Sequence, residues 1–241
     1  MSGAVGVLAI VDFAPGSRLA GVKNLMFGRW ARVPGVTFFK VLGSGYEGGF
    51  GVRPSFSHQG LFAVFGDDAA ADAWLASSHQ LKLYRERSTS WLTMKLRAYA
   101  SRGAWDGVQP VSLSVEKPSS GVIASLTRGS IRLSRARTFW SHAAGAQEAI
   151  AATPECLLAV GLGEAPLFRQ CTFTLWRSEG ALDAWSRSGA HSRASQAALS
   201  GGHFSESLFA RFVVSEVRGT WKGNRAESLM TIPSPPGRGL D

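Results

Sequence analysis

Apolar runs and polar breaks follow one another along this chain in an order that occurs twice. In the first part the apolar run from Val5 to Val11 predicts a buried strand over Val5–Phe13. Ser17–Ala31 predicts a helix that Val33-Pro34-Gly35 brings to an end. Val36–Leu42 and Leu61–Phe65 predict two further strands. Asp67 or Asp68 then caps an Ala-rich helix running through Trp74, because aspartate accepts from the free amides of a first helical turn. Trp91–Ala100 predicts a fourth strand. The second part repeats the order, with a strand at 121–127, a helix at about 135–152, strands at 156–162 and 170–176, helices between about 178 and 200, and a strand at 207–217.

The residues themselves repeat as well. LFAVFGDDAAADAW at 61–74 aligns without a gap on TFTLWRSEGALDAW at 172–185, closing on the same Asp-Ala-Trp. Arg102–Gly107 matches Arg218–Gly223, Gly6–Ala9 parallels Gly121–Ala124, and Gly43-Ser44-Gly45 parallels Gly161-Leu162-Gly163. The order βαββαβ is the ferredoxin-like unit. Such a unit covers one sheet face with helices and leaves the other apolar face open. Two units on one chain close those faces against each other. The expected fold class is therefore α+β, with tandem ferredoxin-like βαββαβ repeats forming an intramolecular α+β barrel. The first repeat is placed at 1–112 and the second at 118–224, with the junction near Val108–Ser120. The Pro- and Gly-rich stretch at 225–241 reads as a disordered tail.

Composition narrows the picture a little further. With 45% hydrophobic residues over 241 positions the chain has the stock for a sizeable core. The balance of 26 Lys and Arg against 17 Asp and Glu gives +9, a surface that attracts anionic partners. Two cysteines, Cys156 and Cys171, exclude a disulfide scaffold and a Cys-rich metal site. No apolar run reaches the ~18 residues of a membrane span, and the start of the chain lacks the basic region of a secretory signal. The expected setting is the cytoplasm, with room for peripheral contact at an anionic membrane.

Candidate chemistry is sparse. The five histidines show neither HxH nor HExxH spacing, and there is no GxSxG and no P-loop. Gly43–Gly49 reads as a flexible connection between strands. His191 stands out, since it follows a helix ending near Ser188-Gly189 and a single axial imidazole suffices to hold a haem iron. His79 occupies nearly the same place in the first repeat and reads as structural, while His58, His142 and His203 read as surface or loop residues. Cys156 and Cys171 read as buried thiols on adjacent strands.

The chain resembles the spheroidene monooxygenases, the acyclic carotenoid 2-ketolases of purple photosynthetic bacteria. The resemblance is carried by Arg32-Val33-Pro34-Gly35, Gly43-Ser44-Gly45, Leu126-Thr127-Arg128, Phe139-Trp140, Gly161–Pro166, Gln170–Trp176, Gly189–Ala194 and Leu208–Phe212. His203 stands where an aromatic is expected and Phe209 where a tyrosine is expected. The resemblance implies a haem (iron) cofactor with His191 as its axial ligand, catalytic residues not being identified. It implies an acyclic carotenoid substrate, O2 and reduced ferredoxin as partners, and oxidation at C-2 to a ketone. A barrel with open ends would enclose the haem and admit a rod-like polyene. Two other readings stay open at this level. One is a cofactor-free or flavin-assisted barrel monooxygenase acting on another apolar molecule. The other is an RNA-recognition module, which lacks its aromatic run here, so no nucleic-acid partner is expected.

Overall fold

The computed structural model describes residues 3–27, 33–165, 168–187 and 202–230, and both halves follow the expected order. The first runs β1 (Val5–Phe13), α1 (Arg18–Phe27), β2 (Val36–Gly45), β3 (Pro54–Phe65), α2 (Asp68–Ser77), α3 (His79–Arg87) and β4 (Ser88–Gly103). The second runs β5 (Ile123–Ile131), α4 (Ala136–Ala151), β6 (Cys156–Ala165), β7 (Arg169–Trp176), α5 (Glu179–Arg187), β8 (Phe204–Trp221) and a short β9 (Asn224–Arg225). Asp67 caps α2 by accepting from the Ala70 amide at 2.8 Å. A separate α3 was not expected. It starts because the Ser78 hydroxyl accepts from the Leu81 amide and opens a new helix directly after α2.

Strands follow the order β4-β1-β3-β2-β6-β7-β5-β8, and β8 pairs back onto β4, so eight strands close a barrel. One seam between the halves is long, from Trp91 opposite Thr220 to Gly103 opposite Leu208. The other is Gly43 opposite Gly163 and Ser44 opposite Leu162. Gly45 and Gly161 leave room at this short seam for the Gly49 carbonyl, which a Cβ at either position would strike.

Register also shows how the halves correspond. Val5 faces Phe65 and Ile123 faces Trp176, so Val5 corresponds to Ile123. Gly43 and Gly163, opposite Gln59 and Gln170, correspond likewise. Corresponding residues thus meet at each seam, Gly43 with Gly163 and Arg97 with Val213, as a two-fold relation between the halves requires. Two of the sequence matches are corrected by this. Gly6 corresponds to Ala124 rather than Gly121, and Gly43 to Gly163 rather than Gly161. Short apolar and glycine runs match almost as well when slid, but the slip of three residues at Gly6 would turn each side chain to the wrong face, while the slip of two at Gly43 keeps the face and shifts only the pairing.

The barrel interior is filled. Leu8, Ile10, Phe62, Met94, Phe173 and Phe212 are all buried inside it. Phe62 stacks on Trp105 with ring centroids 6.0 Å apart and meets Phe212 edge-on at 6.4 Å. Trp105, from the β4–β5 connection, plugs one end, while Trp221, Ala226, Leu229 and Met230 pack at the other. An open-ended barrel enclosing a haem is therefore not what these residues build, because large aromatics occupy the space. The boundary at 225 for the tail also moves, since Arg225 pairs in β9 and Ala226 is fully buried in a 3-10 turn. The apolar side chains of 226–230 cover the barrel end.

Outside the barrel, Trp74, Leu75, Leu81 and Tyr84 of α2 and α3 cover the outer face of the first half. Ile150 of α4 and Leu182 of α5 pack on Ile123, Trp176 and Tyr99 in the second.

Candidate functional site

Since the barrel is solid, the room for a ligand is sought in the helix–sheet layers outside it, and the two layers share a framework. In the first, Asp68 and Asp72 of α2 grip Lys95 of β4 at 3.0 and 2.6 Å. In the second, Glu179 and Asp183 of α5 grip Arg211 of β8 at 2.9 and 2.6 Å. Lys95 and Arg211 correspond, being opposite Val7 and Ser125. Trp74 leans on Phe65 with centroids 5.5 Å apart, and Trp185 leans on Trp176 at 5.2 Å, both pairs tilted by 43°. The repeated Asp-Ala-Trp is thus a helix-to-strand clasp, and it explains the identity without invoking chemistry.

What differs is the sheet face between these fixed points. The first half presents Val7, Ala9, Val11, Leu61 and Ala63 beneath its helices. The corresponding positions in the second are Ser125, Thr127, Gly129, Thr172 and Thr174. An apolar wall has become a hydroxylated floor, smaller at Ser125, Gly129 and Thr172 than at Val7, Val11 and Leu61. Phe204 lies over Gly129 and meets Phe139 of α4 at 5.7 Å. Phe50 packs into the same layer, its amide donating to Gln147 of α4 at 2.7 Å. Phe209 stands beside Thr127 on the strand pair, under the Arg102 guanidinium at 4.7 Å. Aromatic rings around a small-residue floor suit a flat or extended apolar ligand.

Tyr99 adds an unused polar atom to this layer. Its hydroxyl is buried beside the Arg211 guanidinium, which can only donate to it, and no described residue accepts its proton. Burial pushes its pKa up to about 12 against the pull of the Arg211 guanidinium, so at neutral pH it keeps its proton.

The predicted ligands fare unequally. His191 lies outside the described residues, although α5 and β8, which bracket it, both belong to this layer. His79 is exposed at the start of α3, in keeping with a structural reading. His58 and His203 are buried, not surface residues. His58 joins a cluster with Ser55, Ser57 and Asp12, and burial lowers its pKa despite Asp12. His203 immediately precedes β8, with no hydrogen-bond partner for its Nδ1 among the described residues. His142 falls on α4, its side chain outside the described part. Burial raises the thiol pKa of Cys156 to about 11 and pushes that of Cys171 higher, so neither offers a thiolate at rest. Among the described residues no group of three or more His, Cys, Asp or Glu is arranged to hold a bare metal ion.

A second polar cluster went unrecognised in the sequence. Arg128, inside the barrel on β5, pairs with Glu206, with Glu164 at 3.0 Å and with Asp106 at 3.4 Å. The signal was there, a lone arginine at an inward position of an apolar strand.

Comparison with known proteins agrees with this architecture. No protein-family model matches the chain. A crystal structure of aldoxime dehydratase shares the fold at a TM-score of 0.58 and 13% identity, over 88% of this chain and 81% of that one. A second, in complex with butyraldoxime, aligns at 0.56 and 11% identity over 88% and 79%. Among curated sequences, spheroidene monooxygenase of Rhodobacter capsulatus is 32% identical over 79% of this chain and 80% of its own length. Spheroidene monooxygenase of Rubrivivax gelatinosus is 47% identical over 92% of this chain and 87% of its own. Identity of that extent, on a duplicated barrel with a remodelled second layer, shows that the chain belongs to the spheroidene monooxygenase family.

Proposed function

We propose that this chain is a haem-dependent, ferredoxin-linked monooxygenase that introduces a keto group at C-2 of acyclic carotenoids of the spheroidene or spirilloxanthin type. The observation that carries this reading is the 47% identity to the Rubrivivax gelatinosus relative over nearly the whole chain. The second helix–sheet layer supports it physically. A macrocycle needs a floor without bulky side chains, and Ser125, Gly129 and Thr172 supply one where the first half has Val, Val and Leu. His191 would hold the iron. Bound haem would supply the activation of O2 for C–H oxidation.

The chain's own residues then have definite tasks. Phe50, Phe139, Phe204 and Phe209 would grip the polyene and keep bulk water from the reacting carbon. Tyr99, protonated beside Arg211 and with no acceptor for its proton, would donate a hydrogen bond to an oxygen atom entering this layer. Each oxygen insertion takes one O2, two electrons and two protons and releases one water. A second insertion at the same carbon gives a gem-diol, and loss of water from it gives the ketone. The net charge of +9 favours an acidic electron donor, through an attraction that salt screens.

Pigment analysis of cells that make an acyclic carotenoid, with and without this chain, tests the reaction. A new 2-keto carotenoid is the expected result, and an unchanged pigment set overturns it. The haem is tested separately by a Soret band in the purified protein. His191→Ala should abolish or strongly shift that band with native circular dichroism, while His79→Ala keeps it. An unaltered haem spectrum in the His191 variant moves the assignment to His203 or Cys156, since Cys171 lies inside the filled barrel.

A further inference from the structure

Exposed apolar side chains are unevenly spread over this molecule. Five of the nine large hydrophobic residues that stand exposed among the described residues belong to α1 and the β2–β3 hairpin. They are Leu19 at 70% exposure, Phe56 at 63%, Val52 at 51%, Tyr46 at 48% and Leu25 at 39%. They share one end of the barrel. The Tyr46 amide donates to the Arg53 carbonyl at 2.8 Å, and the Arg53 guanidinium lies 4.0 Å from the Tyr46 ring. Helix α1 is fixed to this hairpin through Gln59, whose side-chain amide donates to the Gly21 carbonyl at 2.6 Å, and Leu25 packs over Gly43.

Charge on the same end has one dominant sign. Arg18 and Lys222 lie close enough to His58 to oppose its protonation, and Lys23 and Arg53 are exposed beside them. None of these four cations forms an ion pair among the described residues. Opposing them are Glu47 on the hairpin and Asp12, the latter 3.5 Å from His58. Burial keeps His58 itself neutral near pH 7. Apolar side chains that protrude singly among unpaired Lys and Arg match a headgroup layer, where cations meet lipid phosphates and apolar tips reach the acyl boundary. A protein partner would instead favour a contiguous apolar centre with a polar rim.

We infer that this barrel end, made by the β2–β3 hairpin and α1, docks the protein on the surface of an anionic lipid bilayer. Its purpose rests on the carotenoid reading, because a long polyene is dissolved in lipid and has to be collected there. The docking itself needs neither haem nor substrate, so it can be tested alone.

Vesicle flotation supplies the test, with phosphatidylcholine vesicles and with vesicles also containing phosphatidylglycerol. The protein should float with the anionic vesicles, and less so as salt rises. The combined Leu19→Ser, Val52→Ser and Phe56→Ser variant should bind about tenfold or more weakly with unchanged circular dichroism. Arg18→Gln with Arg53→Gln should weaken binding to anionic vesicles by about fivefold per charge. Arg135→Gln with Arg137→Gln, exposed cations at the opposite end, should leave it unchanged. Absence of binding, wild-type binding by the serine variant, or an equal loss in the control overturns the inference. A wild-type dimer that the serine variant dissolves assigns the face to a second copy and overturns it too. Keto pigment formation without flotation overturns the docking alone, whereas flotation without keto pigment overturns the carotenoid reading alone.

Discussion

Arg128 is only 1% exposed, yet it carries a full charge into the end of a closed barrel. That placement is tolerable because Glu206, Glu164 and Asp106 surround it, Lys40 joins Asp106 and Glu164, and the Trp105 ring lies 5.5 Å from the guanidinium. The Trp105 indole N–H donates to Glu164 at 3.0 Å, so the network also fixes the aromatic plug. Removing one member of such a group leaves the others buried without compensation, a loss of about 3–5 kcal/mol for a fully buried pair. Glu206 is partly exposed, and Glu206→Gln should cost about 2–3 kcal/mol of unfolding free energy at pH 7. The pH dependence has a definite sign. Burial works to raise the Glu206 and Asp106 pKa values. It is outweighed at Glu206 by the Gly107 and Asp106 amides and Arg128, and at Asp106 by Lys40, so both carboxyls sit below their usual range. Their contribution is full above the unfolded carboxylate pKa of about 4 and is lost as pH falls through the lower folded values. Denaturant titrations of the two proteins should therefore converge as pH falls below the unfolded carboxylate range. A gap that does not change with pH would mean the network stabilises by packing instead.

Among the elements, the helix-to-strand clasps connect the repeat in the sequence with the layers in the structure. Asp72 and Asp183 are the identical residues, and their partners Lys95 and Arg211 sit at corresponding places on β4 and β8. Asp72→Asn, at a half-exposed carboxylate, should lower stability by about 0.5 kcal/mol and Asp183→Asn by about 1 kcal/mol, and the double variant should show their sum within ~0.5 kcal/mol. A larger departure in thermal or denaturant unfolding would show the two layers coupled through the barrel. The strands, the caps and the duplication were legible because apolar periodicity and Asp67 state local physics directly. The clasps were half legible. The Asp-Ala-Trp identity was visible, but a lysine and an arginine at partner positions look unrelated without the register. The hydroxylated floor was illegible for a similar reason, since Ser125, Thr127 and Thr172 become a surface only once β5 and β7 are paired. Burial of His58 and His203 was missed because β3 starts well before the apolar stretch at Leu61 that predicted it, and His203 immediately precedes β8, where sequence suggests a loop.

At the scale of the whole molecule, the two seams decide whether either half can exist alone. A lone first half would expose Leu8, Ile10, Phe62, Leu92 and Met94 on its inner face and leave β2 and β4 as unpaired edges. Pairing with a second copy would cover both faults, since corresponding residues already meet at each seam. Gly43 opposite another Gly43 is harmless, as the Gly43–Gly163 pair shows. The long seam is different. Its central pair is Arg97 opposite Val213, so two first halves would set Arg97 against Arg97, and like charges directly opposite are destabilising. Fusion has allowed the partner position to become valine while Arg97 keeps its ion pair with Asp68. The fragment 1–112 should therefore be insoluble or unfolded when made alone, and should become soluble when the fragment 113–241 is made with it. Arg97→Val should raise the share of folded homodimer of the isolated first half, read by analytical ultracentrifugation and circular dichroism. A monomeric first half that unfolds cooperatively would show instead that each sheet is stable by itself, and that the barrel is an association of two finished domains.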